Sequence, residues 1–283
     1  MINMSHHRAI VFGGTRGVGK HITEMFLEKK IPVIFTGTDF FKVKELEKQM
    51  NKHDLVRGLR LKMDDIGSVT RFGERVNNIG FKPNILIFNA GYLSLRSQES
   101  NENVSKLFRV NTISPMILTQ YFLGHMRRKN YGHIIFNAPP YVIDEKVKYL
   151  TPYMQSKLAQ NTFMKSLSHI LRYDNISCNS IWTKYPLWTD AIKLRGIGNK
   201  EECVAPDILV RVTEQILFHE DPYTFKGNEI VDDTYLLSKG INPKDFFLGN
   251  STKTLDQLFL SHLQNNLTKD ISKKPKTLYK NPT

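Results

Sequence analysis

A short apolar run followed by closely spaced glycines near the N-terminus constrains the fold of this chain more than any other feature. Arg8-Ala-Ile-Val-Phe12 leads into Gly13-Gly-Thr-Arg-Gly-Val-Gly19, after which apolar residues continue at helical spacing. The pattern predicts a strand, a tight turn and a helix. Glycines let such a turn bring its amide N–H groups close to a phosphate at the start of the helix. An ordinary strand-to-helix connection would also accept these glycines, and their spacing is not Gly-x-Gly-x-x-Gly.

The rest of the chain alternates between short apolar runs and segments of helical periodicity. This alternation predicts an α/β fold, a single Rossmann-like doubly wound parallel sheet with helices on both faces. A chain of 283 residues that is 40% hydrophobic can bury one sizeable core. We expect one domain over residues 1–250, then a C-terminal helix and a basic tail over residues 251–283. The predicted strands lie near residues 8–12, 32–36, 56–62, 85–88, 132–137, 175–181 and 228–232.

Tyr153 and Lys157 are spaced to lie on one face of a helix. A nearby ammonium favours ionisation of a phenol, which suits a proton donor for carbonyl chemistry. A solvated lysine on a helix surface is the structural alternative.

These motifs, read together with three further ones, resemble the short-chain dehydrogenase/reductase family. Asn89-Ala-Gly91 follows an apolar run, Asp64 follows another, and Asn111 lies in a predicted helix, all in the order of that family. Phe12 and Phe88 stand where the family has Thr and the first Asn of its Asn-Asn-Ala-Gly motif. Without the resemblance, Asn89 and Gly91 could shape a turn, Asp64 could cap the helix near Gly67, and Asn111 could satisfy a kink before Pro115.

The resemblance implies a set of site residues and a role for each. Tyr153 would be the general acid, Lys157 would lower the pKa of the tyrosine and bind the nicotinamide ribose, and Asn111 would hold a proton-relay water. The implied cofactor-binding residues are Gly13, Gly14, Thr15, Arg16, Gly17, Val18, Gly19, Thr38, Asp64, Asn89, Ala90, Gly91, Tyr153 and Lys157.

A closer resemblance, to the hydroxysteroid dehydrogenase-like subgroup, brings a departure with it. It is carried by Asn137-Ala-Pro-Pro-Tyr141, Trp182-Thr-Lys-Tyr-Pro-Leu-Trp188 and Thr224-Phe-Lys-Gly-Asn-Glu-Ile-Val-Asp232. Ala138 occupies the position of the family's catalytic Ser and has no side-chain donor. Loss of such a donor weakens turnover, which leaves a second hypothesis, a non-catalytic protein that binds cofactor or a partner. The sequence does not decide whether Thr151, Tyr141 or Tyr149 supplies a substitute hydroxyl.

The residues after the second strand bear on the choice of cofactor. Gly37 stands where an acid would bind the ribose hydroxyls of NAD, while Arg16 could pair with the 2′-phosphate of NADP. Asp39 nearby favours NAD. We expect NADP to be preferred over NAD.

The segment after the sixth strand is expected to border the nicotinamide and the substrate. Thr183-Lys184 replaces the family's Pro-Gly turn, and the backbone that follows it is expected to bind the carboxamide. We expect a small-molecule carbonyl or alcohol substrate of lipid-like character. The aromatic and apolar side chains that could wall its pocket, or equally form core or subunit contacts, are Trp182, Tyr185, Leu187 and Trp188.

Charge and composition address the remaining function classes. The net charge is +13, but Lys and Arg are dispersed and no RNA-binding signature accompanies them, so we expect no nucleic-acid partner. The apolar runs are too short to span a bilayer, and the Cys and His residues lack metal-ligand spacing. We expect no transmembrane segment, no metal and a cytoplasmic location, with a mitochondrial or peroxisomal one as the alternative. The family resemblance implies a homodimer or homotetramer formed through the helices that bear Asn111 and Tyr153.

Overall fold

A seven-stranded parallel sheet forms the centre of the protein and confirms the predicted doubly wound α/β architecture. The computed structural model describes residues 6–50, 54–94, 99–139, 152–195, 198–250, 253–255 and 257. Every predicted strand is present, with its ends within two residues of those expected. The strands are β1 (Ala9–Phe12), β2 (Val33–Gly37), β3 (Val56–Arg60), β4 (Ile85–Phe88), β5 (Gly132–Asn137), β6 (Ile176–Trp182) and β7 (Glu229–Val231).

Helices cover both faces of this sheet. Strands β1, β2 and β4 are buried along their whole length, as expected where both faces of a parallel sheet are covered. Along β1, Ala9 and Val11 belong to one apolar cluster and Ile10 and Phe12 to the other, so the core has two layers. The helices are α1 (Gly17–Glu28), α2 (Phe40–Met50), α3 (Ile66–Asn78), α4 (Asn101–Phe108), α5 (Ser114–Lys129), α6 (Pro152–Ile170), α7 (Asp190–Arg195), α8 (Asp207–His219) and α9 (Asp232–Ser238).

The order of the strands determines where a ligand crevice opens. The order is β3-β2-β1-β4-β5-β6-β7, so the chain reverses direction across the sheet between β1 and β4. In doubly wound sheets, ligands bind beyond the carboxyl ends of the strands at this switch point. The glycine-rich turn follows β1 and Asn89-Ala-Gly91 follows β4, so both predicted motifs lie at this point.

Three stacked phenylalanine rings explain the two departures from the family pattern in β1 and β4. Phe12, Phe88 and Phe136 are in register on β1, β4 and β5. The centroids of Phe12 and Phe88 are 4.6 Å apart with planes at 9°, and those of Phe88 and Phe136 are 4.9 Å apart with planes at 7°. All three rings are fully buried. One aromatic stack therefore fills the core directly below the crevice.

Several expectations from the sequence concern regions away from the crevice. Cys178 lies in β6, Cys203 follows a short 3-10 helix, and both are buried free thiols. Within the described ranges, none of the helices combines the length and hydrophobicity needed to cross a bilayer. The predicted C-terminal helix and tail lie almost entirely outside the described residues. Leu255, near the start of that segment, is described and buried.

Candidate active site

The glycine-rich turn opens a cavity at the carboxyl end of β1. Gly13 and Gly17 have φ values of +82° and +52°, a region that residues with a Cβ rarely adopt. A Cβ on Gly13 would also lie 2.7 Å from the Cα of Ala90, so the turns after β1 and β4 pack directly against each other. Helix α1 begins at Gly17, and the side chain of Arg16 does not cap it. The free amide end of a helix facing a cavity favours a phosphate.

Two of the predicted cofactor-binding glycines do not line this cavity of about 600 Å³. A Cβ on Gly14 would lie 2.6 Å from the Cβ of Phe35, and one on Gly19 would lie 2.1 Å from the carbonyl oxygen of Gly13. Both glycines therefore allow close packing of the turn. The predicted residues that do line the cavity are Gly13, Thr15, Arg16, Gly17, Val18, Thr38, Asp64, Asn89, Ala90, Gly91, Tyr153 and Lys157.

Tyr153 and Lys157 reach the same cavity from one face of α6. Lys157 is buried, and its Nζ donates to the carbonyl oxygen of Asn137 at 2.6 Å and to Oε1 of Gln160 at 3.3 Å. Burial lowers the pKa of this amine to about 7, because the charged form loses its hydration. The lysine is therefore not the solvated surface residue of the alternative interpretation.

Asn111 lies one layer behind the cavity, in a π-helical turn (Arg109–Ile113) that joins α4 to α5. Its Nδ2 donates to the Ser156 hydroxyl at 2.9 Å and to the Tyr92 carbonyl oxygen at 3.0 Å, and its Oδ1 accepts from the Tyr92 amide at 2.8 Å. Asn111 Oδ1 and Lys157 Nζ each lie 3.6 Å from the point that a Cβ on Gly91 would occupy. π-Helical turns of this kind are frequent at functional sites.

Asn137 was not predicted from the sequence, although it connects Lys157 to the glycine-rich turn. Its carbonyl oxygen accepts from Lys157, its Nδ2 donates to Oδ1 of Asn89 at 3.4 Å, and Asn89 Nδ2 donates to the Gly13 carbonyl oxygen at 3.2 Å. An amide at the carboxyl end of a buried strand was the available signal. Its partners are 48 and 20 residues away, so periodicity could not reveal them.

The residues around the end of β2 limit which side chains fit there and set the charge beside the cavity. A Cβ on Gly37 would lie 2.4 Å from Cγ2 of Thr15, so an acidic side chain cannot occupy this position. Asp39 does not line the large cavity but a smaller pocket beside it that Arg60 also lines, and its Oδ1 caps α2 by accepting from the amides of Phe41 and Lys42 at 2.9 and 3.2 Å. Arg60 Nε donates to the Thr38 carbonyl oxygen at 3.1 Å. Arg60 therefore carries positive charge beside cavity-lining Thr38. Exposed Arg16 carries positive charge in the cavity lining itself.

Asp64 lines the cavity and does not cap α3. Its Oδ2 lies 3.5 Å from Nζ of Lys106, which also lines the cavity. The cap of α3 is the neighbouring Asp65, which accepts from the Ser68 amide at 3.2 Å. The capping alternative for Asp64 is therefore wrong.

Two of the four side chains that were expected to wall a substrate pocket line the cavity. Trp182 and Leu187 line it, whereas Tyr185 packs edge-on against Phe247. Trp188 packs against the apolar cluster that contains Tyr153 and Ile192 without lining the cavity itself. For Tyr185 and Trp188 the alternative interpretation, packing within the protein, holds. The apolar lining that the sequence did not indicate comes from Tyr92, Leu93, Ile192 and Leu255.

Ala138 does not face this cavity. It is 1% exposed, belongs to the apolar cluster that contains Phe136, and donates its amide N–H to the Ile181 carbonyl oxygen at 3.1 Å. Restoring a hydroxyl at 138 would therefore place it in the core. The substitutes considered from the sequence, Thr151, Tyr141 and Tyr149, lie outside the described residues.

Among the described residues, no group of three or more His, Cys, Asp or Glu side chains is arranged to hold a metal ion.

Comparison with known proteins finds relatives of low sequence identity that are named as oxidoreductases or dehydrogenases. The uncharacterised oxidoreductase YvrD of Bacillus subtilis is 24% identical over 193 residues, 68% of this chain and 72% of that protein. Hydroxysteroid dehydrogenase-like protein 2 of Rattus norvegicus is 22% identical over 253 residues, 84% of this chain and 47% of that protein. This chain therefore matches less than half the length of that relative.

Solved structures share the fold. A short chain dehydrogenase from Mycobacterium thermoresistibile superposes with a TM-score of 0.75 at 17% identity, over 87% of this chain and 92% of that one. A 4-hydroxyisoleucine dehydrogenase complexed with NADH has a TM-score of 0.65 at 19% identity, covering 80% and 96%. A metagenomic short-chain oxidoreductase in complex with NADP has a TM-score of 0.66 at 20% identity, covering 81% and 97%.

A sequence model of the short chain dehydrogenase family matches residues 7–193, which include both turns, Asn111, Tyr153 and Lys157. Members of this family are oxidoreductases that bind nicotinamide cofactors. The match extends over well more than half of the chain, and we conclude that the chain belongs to the short-chain dehydrogenase/reductase family.

Proposed function

We propose that this protein is an NADP(H)-dependent oxidoreductase that transfers a hydride between nicotinamide and a carbonyl or alcohol substrate with an apolar body. One observation carries the proposal: the glycine-rich turn and the Tyr153–Lys157 pair open into a single cavity. That cavity has the volume of a typical ligand site. Its lining includes residues from the segments after five successive strands, β1, β2, β3, β4 and β5.

The preference for NADP rests on the end of β2. Gly37 leaves no space for an acid, Asp39 is committed to the start of α2, and Arg16 and Arg60 supply positive charge. A phosphate on the adenosine ribose would be attracted to these guanidinium groups, which can each donate two parallel hydrogen bonds.

In the proposed reaction the cofactor and each side chain around the cavity have a different role. The bound cofactor supplies or accepts the hydride at the substrate carbon. Tyr153 donates a proton to the carbonyl oxygen during reduction and accepts it during alcohol oxidation. Lys157 in its charged form favours the phenolate and donates to ribose hydroxyls. Asn111 fixes Tyr92 and Ser156 behind the pair, and Leu187, Ile192 and Leu255 give the substrate an apolar wall.

Turnover with a panel of apolar aldehydes, ketones and alcohols tests the reaction. Loss of general acid catalysis typically lowers the rate about 10²–10⁴-fold, so we expect that loss in Tyr153→Phe with little change in NADPH affinity. Tyr121→Phe, on the exposed side of α5, is the matched control and should retain full activity. Equal turnover by Tyr153→Phe and the wild type would contradict the assigned role.

Cofactor binding without turnover is the second candidate, and the buried Ala138 is the observation that favours it. The protein would then bind NADPH but convert nothing in the panel.

Arg16→Met and Arg60→Met test the preference for NADP separately from turnover. Each should weaken NADPH about tenfold or more and leave NADH unchanged, because a hydrogen bond to a charged group contributes about 1.5–3 kcal/mol. Arg75→Met, exposed on α3, serves as the control. Equal effects on both cofactors would contradict the phosphate assignment.

A further inference from the structure

The loop between β6 and α7 closes the cavity on the side of the glycine-rich turn. Thr183, Leu187 and Thr189 of this loop all line the cavity. Cγ2 of Thr189 lies 3.5 Å from the point that a Cβ on Gly17 would occupy, so the loop approaches the turn at van der Waals distance. Any ligand held by the turn therefore meets this loop.

The loop begins at Thr183, which stands where the family pattern has a proline whose ring would fix the backbone angle φ. Hydrogen bonds take over that task. The Thr183 hydroxyl donates to the carbonyl oxygen of Tyr185 at 2.6 Å. The Lys184 amide donates to Oδ1 of Asp232 at 2.9 Å, and the Lys184 carbonyl oxygen accepts from the Leu255 amide at 2.8 Å. Both backbone groups of Lys184 are thus held by distant segments of the chain.

Asp232 is unusual among these partners because it is a fully buried carboxyl group. Burial raises its pKa to about 6, and the amide of Lys184 opposes part of that rise. A carboxylate is costly to bury unless it accepts hydrogen bonds. Its Oδ1 also accepts from the Asp233 amide at 2.8 Å, while the Asp233 side chain pairs with Nζ of Lys184 at 2.5 Å. Two side chains in the first turn of α9 therefore hold Lys184, Asp232 at its backbone amide and Asp233 at its side-chain amine.

We propose that Asp232 is a positioning residue for the β6–α7 loop: its buried carboxylate fixes the Lys184 amide and, through it, the wall of the cavity that faces the nicotinamide half of the cofactor. This inference rests on the proposed function. The adenosine half would lie at the other end of the cavity, beside Arg16, Thr38 and Asp64, which follow β1, β2 and β3. Asp232 should therefore influence one half of the cofactor only.

Calorimetric titration with a whole cofactor and with its adenosine fragment separates this role from general stabilisation. The ligands are NADPH and 2′,5′-ADP, or NADH and ADP if the wild type binds NADH. We expect Asp232→Ala to weaken the whole cofactor about tenfold and to leave the fragment within twofold of the wild type. Asp232→Asn keeps an acceptor oxygen for the Lys184 amide and should restore most of the affinity. Asp245→Ala, which removes an exposed acid in the 3-10 helix Pro243–Phe246 after α9, is the control.

Three outcomes would overturn the inference, and a fourth would refute the proposed function on which it rests. Unchanged affinity for the whole cofactor in Asp232→Ala would overturn the inference. Equal losses for cofactor and fragment would also overturn it, because they would show that Asp232 supports the whole domain. If the wild type binds the fragment but Asp232→Asn behaves as Asp232→Ala does, the hydrogen bond to Lys184 is not what positions the loop. A wild type that binds neither ligand would instead refute the proposed function.

Discussion

Replacing Lys157 by methionine should change the pH dependence of stability in a way that follows from burial. The amine is 3% exposed and its partners, the Asn137 carbonyl and the Gln160 side chain, are neutral. Burial lowers its pKa from 10.5 to about 7, so between these two values the unfolded chain binds one proton more than the folded chain. Stability contributed through this group therefore rises as pH rises through the window and is lowest below it.

The magnitude follows from the same pKa values. One extra proton in the unfolded state gives a slope of about 1.4 kcal/mol per pH unit in the free energy of unfolding. Between about pH 7.5 and pH 9.5 the wild type should gain roughly 2.5 kcal/mol relative to Lys157→Met. Methionine also leaves the Asn137 carbonyl without its donor, but that effect is the same at every pH and cancels in the difference.

Urea unfolding of both proteins, followed by the fluorescence of Trp182 and Trp188, measures this difference across the pH range. Lys48→Met, at an exposed position on α2, is the matched control and should run parallel to the wild type. Parallel curves for Lys157→Met and the wild type, within about 0.5 kcal/mol, would refute the reasoning, because one titrating amine must give a slope. Such a result would mean that the Lys157 amine keeps its hydration in the folded state.

Three further substitutions test other parts of the structure. Phe88→Ala removes the middle ring of the aromatic stack and should lower the free energy of unfolding by about 3–5 kcal/mol, and a loss below about 1 kcal/mol would argue against the stack. Gly19→Ala places a methyl group 2.1 Å from the Gly13 carbonyl oxygen and should abolish cofactor binding in a titration; retained affinity would contradict the packing of the turn. Lys30→Gly relieves a φ of +57° after α1 and should raise the unfolding free energy by about 1 kcal/mol, with a decrease as the contrary result.

The central strands β1, β2 and β4 could be predicted because each is a nearly continuous apolar run between polar or glycine-rich segments. A parallel strand buried on both faces needs such a run, so the sequence carries that constraint locally. The glycine-rich turn was predictable for a similar reason, since Gly13 and Gly17 adopt positive φ values that few other residues tolerate.

Features that depend on long-range contacts were less accessible from the sequence. Asp39 and Asp64 are both acids close to a predicted helix start, yet Asp39 caps its helix and Asp64 pairs with Lys106 instead. Asn137 and Asp232 acquire their contacts with the site only when β5 and β7 are placed beside their neighbours. The direction of a side chain at the end of a strand also depends on that placement.

Calorimetric titration of the purified protein with NADPH and NADH in parallel tests the central claim most directly. We predict saturable binding, tighter for NADPH, and loss of binding in Gly17→Asp, where a carboxylate would enter the phosphate site at a φ of +52°. Gly80→Asp imposes a similar backbone penalty at a φ of +71° in open space and should bind as the wild type does. Tighter binding of NADH would contradict the assignment of Arg16 and Arg60. Absence of binding by either cofactor would contradict the assignment of this cavity as a nicotinamide cofactor site.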